Sequence, residues 1–158
     1  MIDIAFTFTH NEAFPSRLLA ANGGGHIFDI KLTADHDNGE LVGRGDYIKL
    51  GTYKETTAPT FAGKIVEQAA NGNWYVEVTA ATEALWILMP EITPYDTISQ
   101  TQNPKAWVNK SGDVVKGYSL VKGDIFEMSA EGFQGTPDVG KAVSFASGKY
   151  VVATKTTD

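Results

Sequence analysis

Short segments in which apolar and polar residues alternate make up most of this chain, and glycines or Asn-Gly pairs separate them. The alternation is clear in residues 2–9, 27–33 and 74–79. A period of two is typical of β-strands that bury one face. Asn71-Gly72 lies between two such segments and favours a tight hairpin. We therefore predict an all-β, mainly antiparallel fold with at most one or two short helices.

Two segments are open to a helical interpretation. Residues 16–21 follow Pro15, which suits the first turn of a helix, and Asn22-Gly23 would end that helix. An extended arm lying on a partner is the alternative for the same segment. The apolar residues within 80–89 also fall at helical spacing.

An internal repeat relates the two halves of the chain. Residues 44–50 (RGDYIKL) align with 122–128 (KGDIFEM). Further along, GKIV aligns with GKAV, and the hairpin sequence NGNWYV aligns with SGKYVV. Three anchors in the same order and at nearly constant spacing indicate a duplicated β unit.

Each copy of the repeat begins with a basic residue followed by Gly-Asp. We expect a turn there, because the Asp side chain can accept hydrogen bonds from nearby backbone amides before an apolar strand enters the core. The predicted turn residues are Gly45, Asp46, Gly123 and Asp124.

These patterns divide the chain into four parts. We predict an N-terminal arm and hinge (1–25), a first β unit (26–89), a proline-punctuated connection (90–107) and a second β unit (108–158). The two β units would form either one sandwich or two small barrels, and the pattern favours neither arrangement.

Composition removes several function classes. The chain has 158 residues, a formal net charge of −6 and no cysteine. Disulfides, thiolate metal sites and thiol catalysis are therefore excluded. An acidic chain without a run of lysine or arginine is a poor match for nucleic acid. The longest apolar run, residues 84–90, is far shorter than the roughly twenty residues of a membrane span, so we expect no membrane partner.

Candidate chemical motifs are weak. Arg44-Gly45-Asp46 spells an adhesion tripeptide, but lysine replaces arginine in the second copy, which favours a structural turn. Asp35 and Asp37 begin a segment that resembles a calcium loop. That segment departs from the EF-hand pattern twice, because its glycine is fifth and its twelfth residue is Asp46, so we expect a solvated acidic hairpin.

No residues stand out for catalysis. His10, His26 and His36 lack metal-type spacing and are expected on the surface or in loops. No nucleophile elbow is present, and nothing marks a pair of carboxylates for acid–base work. We predict no catalytic residues, no metal ligands and no cofactor, and hence a protein that is not an enzyme.

Aromatic residues suggest a second function class, a carbohydrate-binding or adhesion module. A sugar-stacking platform would use surface aromatics, although aromatics at alternating strand positions usually fill a β core. The candidates are Trp74, Tyr75, Trp86, Trp107, Tyr118 and Tyr150.

The second half of the chain resembles a known family. The segments 117–128 (GYSLVKGDIFEM), 140–143 (GKAV) and 148–152 (GKYVV) are similar to the small β-rich decoration, or cement, proteins of tailed-bacteriophage heads. The resemblance implies a non-enzymatic virion protein, made in the host cytoplasm and bound to the outer capsid surface. It also implies that the protein clamps neighbouring subunits of the major capsid protein, often as a homotrimer and often through an N-terminal arm.

The arm is the expected contact with that partner. Residues 2–9 alternate, and a glycine-rich hinge at 23–25 separates the arm from the body, so the arm suits addition to the edge of a partner's sheet. The alternative is that the same residues pack on the protein's own core, and the sequence does not choose between the two. The predicted partner-binding residues are Ile4, Phe6, Phe8, Phe14, Leu18 and Leu19.

Overall fold

A computed structural model describes residues 11–19, 27–56, 60–88, 108–146 and 148–156. The prediction of an all-β fold is confirmed. Within the described ranges the strands are β1 (Ala13–Arg17), β2 (Ile27–Lys31), β3 (Leu41–Lys49), β4 (Thr52–Thr56), β5 (Thr60–Gln68), β6 (Trp74–Thr82), β7 (Leu85–Leu88), β8 (Val114–Ser119), β9 (Ile125–Met128), β10 (Phe133–Gln134), β11 (Lys141–Ala146) and β12 (Lys149–Thr156). A short 3-10 turn at Ala130–Gly132 leads into β10.

The strands form two sheets. One is a closed barrel of five strands in the order β2-β4-β3-β7-β8. The other is a seven-stranded sheet in the order β1-β9-β6-β5-β11-β12-β10. The pairs β2–β4 and β10–β12 are parallel, and the other pairs are antiparallel. No helix in the described ranges has the length and apolar character needed to cross a bilayer.

The two sheets do not follow the two halves of the chain. Strand β8 comes from the second half, yet it closes the barrel by pairing with β2 and β7. Strands β5 and β6 come from the first half, yet they lie inside the seven-stranded sheet, between β9 and β11. The predicted boundaries at 26–89 and 108–158 therefore do not coincide with the structural units.

Part of the repeat has a clear structural counterpart. The hairpins β5–β6 and β11–β12 lie side by side and are joined through antiparallel pairing of β5 with β11. Gly63 pairs with Val143, and the sequence repeat matches Gly63 with Gly140 and Val66 with Val143. This register is the one expected when a local two-fold axis between β5 and β11 relates the two hairpins.

The Gly-Asp part of the repeat is not equivalent in the two copies. Gly45 and Asp46, which we predicted to form a turn, lie inside β3, where the pairing with β4 shifts register between Arg44 and Tyr47. A Cβ on Gly45 would lie 2.6 Å from the carbonyl oxygen of Lys54, so glycine here permits close approach of the backbones. The predicted turn is wrong at this position, and the feature is a strand irregularity.

The second copy does form a turn. Gly123 has φ +97°, and no atom lies within 4 Å of a Cβ built on it, so its glycine serves the left-handed backbone conformation. The Val121 amide donates to Asp124 Oδ2 at 2.9 Å, which closes the turn before β9. Glycine thus occurs in the two copies for two different physical reasons.

Neither segment with helical potential forms an α-helix in the described residues, and residues 20, 21 and 89 lie outside that part of the chain. Residues 13–17 pair with β9, and Pro15 is tolerated there because β1 is at the edge of the described sheet and the missing N–H breaks no inner ladder. Residues 80–88 belong to β6 and β7, with Glu83 at φ 56° between them.

The core explains why the segment around β7 is continuously apolar. Leu85 and Ile87 belong to the cluster inside the barrel, whereas Trp86 belongs to the larger cluster under the seven-stranded sheet. Phe126 lies at the centre of that larger cluster, with ring centroids 5.6 Å from Trp86 and 5.5 Å from Tyr150. A strand buried on both faces loses the period-two signal, and an apolar run of this kind is easily taken for a helix.

Candidate functional site

The predicted partner-binding residues divide into buried and exposed sets. Phe14 is 42% exposed and Leu19 is 57% exposed, so both are available to a partner. Leu18 is only 4% exposed and packs in the larger core cluster, so its predicted role as a partner contact is wrong. Ile4, Phe6 and Phe8 lie outside the described residues.

Strand β1 is fastened to the body at both ends. At its start, the Asn11 side chain donates to the Asn38 carbonyl at 2.7 Å and accepts from Ser129 Oγ at 3.1 Å. At its end, the Leu19 amide donates to Asp124 Oδ1 at 3.0 Å. The described part of the predicted arm, residues 11–19, is therefore integral to the body, because its buried polar groups are paired and its buried apolar groups are in the core.

A charged cluster joins the loop before β3 to strand β4. His36 Nδ1 lies 2.9 Å from Glu40 Oε1, and His36 Nε2 bonds Glu55 Oε2 on the other side of the ring. Glu40 also accepts from the Asp37 amide, and Glu55 accepts from the Thr33 amide at 2.8 Å. These side chains line a cavity of about 650 Å³ between β4 and the β11–β12 hairpin, together with Lys54.

The two carboxylates keep His36 protonated. The largest cause is the hydrogen bond that His36 donates to Glu40; burial opposes it, and the charges of Glu40 and Glu55 reinforce it. Together they raise the pKa of His36 from 6.5 to about 9. Because the imidazolium donates from both nitrogens, no lone pair remains for a proton or a metal. The cluster is an ionic clasp between a loop and a strand.

The position of His36 differs in one respect from the surface or loop position expected from the sequence. His36 lies in a loop, as predicted, but its side chain is only 17% exposed and is enclosed by carboxylates. Glu40 lies four residues after His36 in the sequence, and this short spacing could have indicated their contact. Glu55, in contrast, reaches His36 only because β4 pairs with β2 inside the barrel, and nothing in the local sequence indicates that contact.

The carboxylates of Asp35 and Asp37, in the loop before β3, accept hydrogen bonds from backbone amides. Asp35 Oδ1 accepts from the Ser111 amide at 2.9 Å, and Asp37 Oδ2 accepts from the Asn11 amide at 3.0 Å. In the part of the chain that the structure describes, no group of three or more His, Cys, Asp or Glu side chains is arranged to hold a metal ion.

Two described members of the predicted aromatic platform are core residues. Trp86 is 0% exposed and Tyr150 is 1% exposed, and both lie in the larger core. Trp74 and Tyr118 are partly buried against the same core, and Trp107 lies outside the described residues. Burial of this kind removes the ring faces from a sugar, so the core-filling alternative applies to Trp86 and Tyr150.

A different group of aromatics surrounds Arg44 at one mouth of the barrel. The Arg44 guanidinium carbon lies 4.6 Å from the ring centre of Phe28 and 4.9 Å from that of Tyr53. Tyr47 packs edge-on against Tyr53, with centroids 5.6 Å apart, and is 61% exposed. Beside them lies a cavity of about 360 Å³ lined by Phe28, Arg44, Glu83, Leu85 and Ser119. In the sequence, Arg44 belongs to the internal repeat and to the adhesion tripeptide, and neither pattern indicates these aromatic contacts.

Comparison with protein-family models, with curated proteins and with solved structures finds no match to this chain.

Proposed function

We propose that this chain is a non-enzymatic structural virion protein that binds the outer surface of a bacteriophage capsid lattice. The observation that supports it best is β1, which lies within the predicted arm, forms an edge of the described sheet and exposes Phe14. The resemblance of the second half to decoration proteins agrees with this proposal. The proposed partner is the major capsid protein.

An edge strand is suited to binding another chain. On the side of β1 away from β9, the backbone N–H and C=O groups have no partner strand in the described sheet. A partner strand would gain main-chain hydrogen bonds there, and alternate side chains would supply specificity. Phe14 and Leu19 are already about half buried, so full coverage would add roughly half of the 1.5 to 3 kcal/mol that complete burial of such a side chain contributes.

The charged clasp also agrees with a structural role. A catalytic histidine needs one nitrogen free to exchange a proton with substrate, whereas both nitrogens of His36 are bonded to carboxylates. The bonds join separate parts of the barrel, which favours rigidity over chemistry.

Capsid binding should depend on Phe14 in β1 and on Leu19, two residues beyond the end of that strand. We expect the double variant Phe14→Asp/Leu19→Asp to fold normally and to bind at least tenfold more weakly to capsids assembled from the major capsid protein encoded with this chain. Charge at a contact that must be desolvated is costly, whereas both side chains lie at the surface of the free protein. Co-sedimentation with capsids measures the effect.

The matched control is Val139→Asp, which places charge on an equally exposed residue in the turn before β11, away from β1. It should bind as the wild type does. A variant that lacks residues 2–9 keeps β1 and the buried Leu18, so it tests the contribution of those residues separately. Full occupancy of capsids by the double variant, or no binding of the wild type, would contradict the proposal.

A further inference from the structure

Arg44 packs on two aromatic rings, and its hydrogen-bond donors have no partner among the described residues. Its guanidinium carbon lies 4.6 Å from the ring centre of Phe28 and 4.9 Å from that of Tyr53, within the range of cation–π attraction. Aromatic rings do not accept the in-plane N–H groups of the guanidinium. Among the described residues, no ion pair or hydrogen bond to Arg44 is present. Its donors therefore remain available to a ligand in the adjoining cavity.

The cavity also offers acceptors. Glu83 lines it, and this is the one non-glycine residue with positive φ in the described part of the chain, at 56°. Backbone conformations of this kind are costly for residues with a Cβ and are concentrated at functional positions. Ser119 lines the same cavity and adds a hydroxyl that both donates and accepts. No ion pair in the described residues joins Glu83 to Arg44.

The charges of Arg44 and Glu83 in the cavity lining favour a neutral ligand. One arginine and one glutamate give the cavity no net charge, so an anion would face Glu83 and a cation would face Arg44. A neutral polyol uses both groups, because each hydroxyl donates to the carboxylate and accepts from the guanidinium. Leu85 and Phe28 provide the apolar part of the lining, which is the usual composition of a small-molecule site.

We propose that this mouth of the barrel is a binding site for a neutral carbohydrate. Arg44, Glu83 and Ser119 bind the hydroxyl groups of one sugar in the cavity. The rings of Phe28, Tyr53 and Tyr47 form a continuous edge-to-face series, with centroid separations of 5.7 and 5.6 Å, which leads from the cavity to the exposed Tyr47. Tyr47 supplies an apolar ring for a second sugar, so the site suits an oligosaccharide better than a monosaccharide.

Saturation-transfer NMR on the full chain tests the site, with maltose, lactose, cellobiose and chitobiose as probes and glycine and acetate as charged comparators. We expect at least one disaccharide to bind, and Arg44→Ala to weaken that binding at least tenfold. Arg44→Lys should weaken it nearly as much, because lysine keeps the charge but lacks the planar fork. Tyr47→Ala should cost about threefold to tenfold.

The matched control is Lys122→Ala, which removes a cation from the exposed turn of the second repeat copy. It should leave disaccharide binding unchanged. Because Arg44 also packs on two rings, circular dichroism and thermal unfolding check that Arg44→Ala is folded, and Glu83→Gln gives a second test at an exposed residue. Binding of acetate or glycine alone, disaccharide binding that survives Arg44→Ala and Glu83→Gln, or no response to any disaccharide would overturn the proposal.

Discussion

Replacing Asp124 with alanine should lower the free energy of unfolding by about 3 kcal/mol. The Asp124 side chain is buried and accepts two backbone hydrogen bonds, from Val121 at 2.9 Å and from Leu19 at 3.0 Å. Hydrogen bonds to charged groups contribute roughly 1.5 to 3 kcal/mol each, and removing the acceptor leaves two amides without a partner. The loss should be measured by urea unfolding followed by tryptophan fluorescence.

The repeat provides a matched control for Asp124. Asp46 occupies the corresponding position of the first copy, but it is exposed in β3 and takes no part in a turn. Asp46→Ala should therefore change stability by less than about 0.5 kcal/mol. Hydrogen exchange should show loss of protection at the Leu19 amide in Asp124→Ala only. Equal losses in the two variants would contradict the structural difference between the copies.

The His36 clasp should make stability depend on alkaline pH. The pKa of His36 is raised from 6.5 to about 9 in the folded protein, chiefly by its hydrogen bond to Glu40. A folded-state pKa above the unfolded value means that stabilisation is complete below pH 6.5 and is lost as the pH rises through about 9. At about 1.4 kcal/mol per pH unit between the two values, the loss is on the order of 3 kcal/mol.

Two measurements check the clasp. NMR titration should show one histidine with a pKa near 9, and that signal should be absent in His36→Gln. The free energy of unfolding should fall more between pH 6 and pH 10 in the wild type than in His36→Gln. The variant serves as the reference because its lysines and tyrosines still titrate over the same range. Glu55→Gln is expected to give an intermediate pKa, since Glu40 remains. An imidazole that titrates near 6.5 in the wild type would contradict the clasp.

The alternation of apolar and polar residues predicted strands correctly where a strand has one buried face and one exposed face. It placed the hairpins around Asn71-Gly72 and Gly148, and it placed the turn at Gly123, because tight turns depend on residues close in sequence. The local sequence led to a wrong prediction around Trp86, because both faces of β7 are buried. It was also wrong at Gly45, where glycine is needed because the backbone of Lys54 approaches closely. That contact is invisible in the local sequence.

The candidate sites show the same division. Phe14 and Leu19 are exposed, whereas Leu18 is buried. This difference follows from the direction of each side chain once β1 is known to pair with β9. The site around Arg44 depends on residues from β2, β3, β4 and the segment between β6 and β7. Its members come from several distant segments of the chain, and the closed barrel brings those segments together.

By itself, the sequence determined the all-β class, the positions of the tight turns and the similarity of two hairpins, because period-two burial and turn chemistry act over a few residues. Tertiary structure decided which strands share a sheet, that β8 closes a barrel begun by the first half, and that His36 lies between Glu40 and Glu55. Those outcomes depend on pairing between distant strands, and pairing is selected by the packing of two cores that no single segment specifies.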